Sequence, residues 1–143
     1  MNTAIEELKR FQTDRGLQKT AFDVVNESAN IVEELLEAQG LDVAKSNRPL
    51  LKAKFIGFAA GAEAFTTPIE VDTVDAFADI IVFAIGALMK MGYEPEAVLS
   101  ETAKEINSRV GEMVEGKFEK DLSEEAQRNW YKADYTNCKL KEV

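Results

Sequence analysis

The sequence predicts an all-α protein, a four-helix-type bundle with a short leading helix and a C-terminal arm. Two observations carry this. Apolar residues recur at intervals of three and four over most of the chain, while the two-residue alternation of a strand never persists. Proline is confined to Pro49, Pro68 and Pro95, and Gly16, Gly40 and Gly92 stand where apolar periodic runs end.

Thr3 is placed to cap a first helix reaching about Arg15, with Gly16 as its stop. The second runs from Thr20 to about Gln39, with Phe22, Val25, Ala29, Val32 and Leu36 on one face. Leu50 to Phe65 has a helical pattern that Gly57 and Gly61 weaken. The next helix begins after Pro68, near Glu70 to Asp72, and ends at Gly92. Its second half, Ile80 to Met89, is apolar all round, which predicts a place at the centre of the fold. Pro95 suits a first helical position, and Glu96 to Val110 continues with Val98, Leu99, Thr102, Ile106 and Val110 on the inner side. Beyond Gly111 the pattern breaks up into an extended arm.

A chain of 143 residues is most simply one domain, with a core over about 20–112 and an arm over 113–143. A net charge of −9 lacks the basic surface that phosphate-backbone contacts need, so nucleic acid is not an expected partner. The longest uncharged stretch, Ile80 to Met89, is too short to span a bilayer, and the N-terminus lacks the pattern of a signal peptide. The lone Cys138 fits a reducing compartment, and the expected location is cytoplasmic. There is no histidine, which removes Ser-His triads and most zinc and iron sites. A metal here would be held by oxygen, which points to Mg²⁺ or Mn²⁺.

Two carboxylate clusters stand out, Glu33-Glu34-Leu35-Leu36-Glu37 and the run from Asp72 through Asp75 to Asp79. At about 100° per residue, Asn30, Glu33, Glu34 and Glu37 share one arc of a helix, and Asp72, Asp75 and Asp79 share a tighter one. Like charges at this spacing repel by roughly a few tenths of a kcal/mol per pair, so neither cluster helps its own helix. A divalent cation among them would turn repulsion into coordination. The plain alternative for the glutamates is a solvated face, and for Asp72 and Asp75 a favourable helix N-terminus. Asp79 lies two turns in, past the reach of the dipole.

The residues also carry a resemblance. Glu33-Glu34-Leu35-Leu36-Glu37, followed by Phe77-Ala78-Asp79-Ile80-Ile81, resembles the paired motifs of the all-α nucleoside triphosphate pyrophosphohydrolases. This is the MazG-like superfamily that also includes phosphoribosyl-ATP pyrophosphohydrolase. Met91-Gly92-Tyr93-Glu94-Pro95-Glu96-Ala97 looks like the family's turn into its fourth helix, and Lys104-Glu105-Ile106-Asn107-Ser108-Arg109 resembles its phosphate-side stretch. The likeness covers roughly residues 20–112. Ala76 stands where the family has a Glu, which passes that position's task to Asp75 or Asp72, and Lys45 to Phe65 would be an insertion.

The resemblance implies Mg²⁺-dependent hydrolysis of a nucleoside triphosphate, a deoxynucleotide by preference, to the monophosphate and pyrophosphate. Glu33, Glu34, Glu37, Asp75 and Asp79 would hold metal, and Glu34 would take the proton of the attacking water. Asp72 would stand in the outer shell on the substrate side, Lys104, Asn107 and Arg109 would face the phosphates, and Asn30 would reach the sugar or base. Related families also imply a homodimer or homotetramer. Two alternatives stay open: a non-enzymatic helical interaction module with solvated acidic faces, and the same scaffold acting on a phosphoribosyl nucleotide. The arm's Trp130, Tyr131, Lys132 and Tyr135 would cover the end of the bundle or, less simply, pack on another subunit or stack on a base.

Overall fold

A computed structural model describes residues 2–42, 48–61, 69–114 and 117–141. The chain is mostly helical, and it divides into two compact units, one of residues 1–20 with 69–143 and one of residues 21–68.

In the larger unit, α1 (Ala4–Asp14) begins at a reciprocal cap. The Thr3 hydroxyl accepts from the Glu6 backbone N–H at 3.2 Å, and the Glu6 carboxylate accepts from the Thr3 N–H at 2.6 Å. Two orphan donors of the first turn are thereby satisfied. The helix ends at Arg15, and Gly16 turns away at φ 66°, as the sequence predicts. A 3-10 turn, Leu17–Lys19, follows.

Helix α1 packs against α5 (Pro95–Ser108), where Ala4 and Ala103 are the buried small residues, only 2% and 1% exposed. The Ala4 N–H donates to the Glu96 carboxylate at 2.9 Å, a contact between residues far apart in sequence. Pro95 occupies the first helical position as expected, and Glu94 supplies the cap by accepting from the N–H groups of Glu96 and Ala97. The helix stops at Ser108, short of Val110, which is exposed.

Arg15 holds the other end of this pair. Its guanidinium donates to the carbonyls of Arg109 at 2.8 Å and of Ile106 and Asn107 at 3.3 Å. The last carbonyls of a helix lack internal partners, so a cation placed there satisfies both their hydrogen bonding and their partial negative charge. The same guanidinium lies 4.3 Å from the centre of the Phe11 ring and 5.1 Å from that of Phe118, and the two rings meet edge to face at 5.8 Å.

Phe118 belongs to a feature the sequence reading did not foresee. Strands β1 (Gly111–Val114) and β2 (Lys117–Lys120) form an antiparallel hairpin with Gly111 opposite Lys120 and Met113 opposite Phe118. A Cβ at Gly111 would collide with the Glu119 backbone carbonyl, so the close approach of the two strands needs glycine there. After the hairpin comes a short helix, α6 (Glu124–Arg128), capped by Ser123, and then the extended arm.

The arm returns to the turn between α4 (Glu70–Lys90) and α5. Gly92, at φ 88°, ends α4 in the left-handed region, with its N–H to Met89 and the Tyr93 N–H to Leu88. Against this turn the Glu94 N–H donates to the Cys138 carbonyl at 2.7 Å and the Leu140 N–H to the Gly92 carbonyl at 2.9 Å. Lys139 sits 3.8 Å from the centre of the Tyr93 ring, and Cys138 is buried beneath.

Helix α4 runs unbroken for 21 residues, close to the expected limits. Its surroundings are not the expected ones. It packs on α5, yet Val71, Val74, Ile81, Val82, Phe83 and Met91 are all exposed, Phe83 at 77%. An apolar helix was expected at the centre, but a side chain is buried only where another element of the chain covers it.

The smaller unit is a pair of packed helices, α2 (Val24–Ala38) and α3 (Arg48–Gly61). Helix α2 begins four residues later than Thr20, because the Asp23 carboxylate accepts from the N–H groups of Val25 and Asn26 at 3.0 and 3.2 Å. Ala29 is buried and Val25, Val32 and Leu36 half-buried, while Phe22 precedes the helix and is exposed. Within the expected insertion from Lys45 to Phe65, residues 45–47 and 62–65 lie outside the described ones.

Candidate functional site

Helix α2 carries Asn30, Glu33, Glu34 and Glu37, and because the segment is helical their spacing sets them along one side of it. Asn30 and Glu33 are half-buried; Glu34 and Glu37 are exposed. Helix α4 carries Asp72, Asp75 and Asp79 on one side, all exposed, with Asp72 in the first turn. The two sets lie on separate units of the chain. Among the described residues, no group of three or more carboxylate or thiol side chains is drawn together closely enough to hold a metal ion. In chemical type the donors suit a hard cation, being carboxylate and amide oxygens without a nitrogen or sulfur ligand.

The residues of α5 have partners within their own unit. Asn107 uses both ends of its amide, donating to the Glu7 carbonyl at 3.0 Å and accepting from Arg15 at 3.5 Å. It therefore ties α1 to α5, a task the sequence reading did not assign to it. Lys104 pairs with Glu101 at 3.2 Å, one turn away on the same helix, and is itself exposed. Arg109 is half-buried, pairs with Glu105 at 3.7 Å and lies 5.5 Å from the centre of the Trp130 ring.

Glu101 is the hub of a polar cluster that the sequence reading missed. Its carboxylate accepts from the Tyr131 hydroxyl at 2.5 Å and the Asp134 backbone N–H at 3.2 Å, besides Lys104. The Thr102 and Tyr135 hydroxyls share a hydrogen bond of 2.9 Å, and the Tyr131 N–H donates to Ser108 at 2.8 Å. The arm thus covers α5 of its own chain, the simpler of the two roles expected of its aromatics. The Tyr131 hydroxyl, then the Asp134 N–H and the Lys104 ammonium, hold the Glu101 carboxyl below the usual range. The same bond pushes the Tyr131 hydroxyl up, since ionising it would place two anions together. Burial raises the Cys138 thiol, with Glu101 and Asp134 adding to the effect, which leaves it a poor nucleophile. No local motif announces the Glu101–Tyr131 pair, whose members stand 30 residues apart.

Among the described residues no helix is long and apolar enough to cross a membrane. Compared with protein-family models, curated proteins and solved structures, the chain finds no match in any of the three.

Proposed function

We propose that the chain is a Mg²⁺-dependent nucleotide pyrophosphohydrolase of the all-α, helix-bundle kind, acting on a nucleoside triphosphate and by preference a deoxynucleotide. The observation that carries this reading is the pair of carboxylate rows, one along one side of α2 and one along one side of α4, whose oxygen donors suit a hard cation in a chain without histidine. Glu33, Glu34 and Glu37 with Asp75 and Asp79 would hold Mg²⁺, or Mn²⁺ in its place, and Asp72 would bind from the outer shell. Metal held there would neutralise the triphosphate and lower the pKa of water. With metal in place, Glu34 would accept the proton of the attacking water as its oxygen bonds to phosphorus and the anhydride bond between the monophosphate and pyrophosphate products breaks. Lys104, itself exposed, can exchange its surface pairing with Glu101 for a phosphate, and Arg109 offers a planar fork to another. Asn30 is left for the sugar or base, while Asn107 serves by fixing the helix that carries the two cations.

The test is pyrophosphate release from a panel of canonical NTPs and dNTPs with Mg²⁺, with Mn²⁺ and with EDTA. The expected result is metal-dependent release with the matching monophosphate, abolished by Glu34→Gln and by Asp75→Asn in folded protein. Full turnover by both variants would overturn the assignment. A phosphoribosyl nucleotide added to the panel separates the remaining substrate class.

A second reading has an observation of its own. The exposed apolar residues of α4, with Phe83 and Val71 at 77% and 73%, suit a helical interaction module. They equally support a homodimer or homotetramer of the enzyme. Melting with and without millimolar Mg²⁺ distinguishes module from enzyme, because a merely solvated acidic face gains little from the ion.

A further inference from the structure

The end of α6 and the start of the arm form an open hollow of about 500 Å³, lined by Glu124, Gln127, Arg128, Trp130 and Lys132. Its construction is local. The Ser123 hydroxyl caps α6 by accepting from the Ala126 N–H at 3.2 Å, and Ala126 is buried, which seats the helix. The Trp130 N–H donates back to the Gln127 carbonyl at 3.3 Å, and the next residue is pinned to α5 through Ser108. The half-buried indole is therefore fixed by its neighbours on both sides, with Arg109 over the ring, although its own Nε1 finds no acceptor.

The rim is cationic in a chain whose net charge is −9. Arg128 spends its Nε on the Glu124 carbonyl at 3.3 Å, and its two terminal nitrogens have no carboxylate partner among the described residues. Lys132 has none either, whereas Arg10, Lys104 and Arg109 are each paired with an acidic side chain. A hollow of this size accommodates a small organic ligand. An aromatic ring offers a stacking surface to another flat ring, and an arginine fork beside a lysine suits the oxygens of a phosphate. Glu124 opposes pure anions and favours a ligand that also carries a hydrogen-bond donor.

We propose that this hollow binds a small phosphate-bearing compound with a flat ring, of the nucleotide class, without a metal ion. The ring lies against Trp130, the phosphate between Arg128 and Lys132, and the ring's donor groups face Glu124. This assignment does not depend on the carboxylates of α2 and α4.

Trp130 is the one tryptophan of the sequence, so its fluorescence reports on the hollow directly. The experiment titrates the full chain in EDTA at low salt with AMP, adenosine and inorganic phosphate. AMP should change the emission saturably, with a Kd of about 0.1 to 1 mM, and should bind more tightly than phosphate or adenosine alone. Arg128→Gln with Lys132→Gln should weaken AMP by about tenfold, whereas Glu124→Gln should tighten inorganic phosphate and weaken AMP, each by about threefold. All these side chains are exposed, so the variants should fold, and opposite signs for the two ligands in the Glu124 variant distinguish ligand contact from a structural effect. The proposal is overturned if AMP gives no saturable change up to about 5 mM. It is equally overturned if AMP binds no better than phosphate, or if the charge variants leave its affinity unchanged. Because EDTA removes divalent metal, loss of the pyrophosphohydrolase activity and loss of this binding are separate results.

Discussion

Helices α4 and α5 are joined by one tight turn, yet the chain treats them differently. Helix α5 is of mixed polarity, and almost every part of it is used. Ala103 is sealed against neighbours, Glu96 receives α1, Glu101 and Thr102 receive the arm, and Arg15 closes its last turn. Helix α4 is far more apolar and has far less around it, with Val82 and Phe83 both more than 60% exposed. Apolarity creates a demand for cover, but only topology supplies it. Helix α5 has its cover from segments that precede and follow it by many residues, whereas much of the apolar surface of α4 is left uncovered within its own unit.

The largest expected effect breaks the comparison at α4. If the proposed homo-oligomer meets on α4, Phe83→Asp should convert it into a monomer in sedimentation, since a charge on an apolar surface that association covers is costly. If the assembly survives unchanged, α4 is not the surface on which copies meet. Next comes α5. Arg15→Ala removes hydrogen bonds to four backbone carbonyls and to the Asn107 amide together with two ring contacts, and should cost about 2 to 3 kcal/mol in urea unfolding of the full chain. A cost near zero would mean that α1 does not depend on the closed end of α5. Ala103→Leu, which inserts a large side chain where there is no room, should cost about 1 to 3 kcal/mol. By contrast, Val82→Thr on α4 should change the stability of the monomeric Phe83→Asp background by less than about 0.5 kcal/mol.

The smallest effect is pH-dependent and sharpens the account of the arm. Glu101 has its carboxyl depressed in the folded chain, so its contribution is present above the unfolded value of about 4.3 and is lost as pH falls through the folded one. Tyr131 is raised by the same bond, so its contribution is present below about 10 and is lost as pH rises through the folded value. The arm should therefore loosen at both extremes, and Glu101→Gln should flatten both limbs in a hydrogen-exchange profile of residues 131–138. An unchanged profile in that variant would show that the arm is held by Cys138 and the turn at Gly92 instead.

Much of the helix map was legible because its signals are local. Thr3 with Glu6, Gly16, Gly92 and Pro95 each act within one turn of the backbone, and the elements begin or end at them. The start of α2 moves from Thr20 to Val24 because a carboxylate at Asp23, two residues before Val25, reaches two open N–H groups. The hairpin was not legible, since four-residue strands are too short to show an alternation. Of the candidate site, the one-sided rows on α2 and α4 follow from helical spacing alone. The use of Asn107 as a clasp on Glu7, across 100 residues, does not follow from any spacing.

The sequence by itself therefore determined roughly where α1, α2, α4 and α5 run, how α1 is capped, which carboxylates share a side, and that a metal here would be held by oxygen. Those properties depend on neighbours within a few residues. Tertiary structure alone decided that Arg15 closes α5, that Tyr131 meets Glu101, and that the apolar α4 is left exposed. The reason is physical: a cap or a helical face is set by local backbone geometry, whereas a partner is set by which distant segments chain topology brings together.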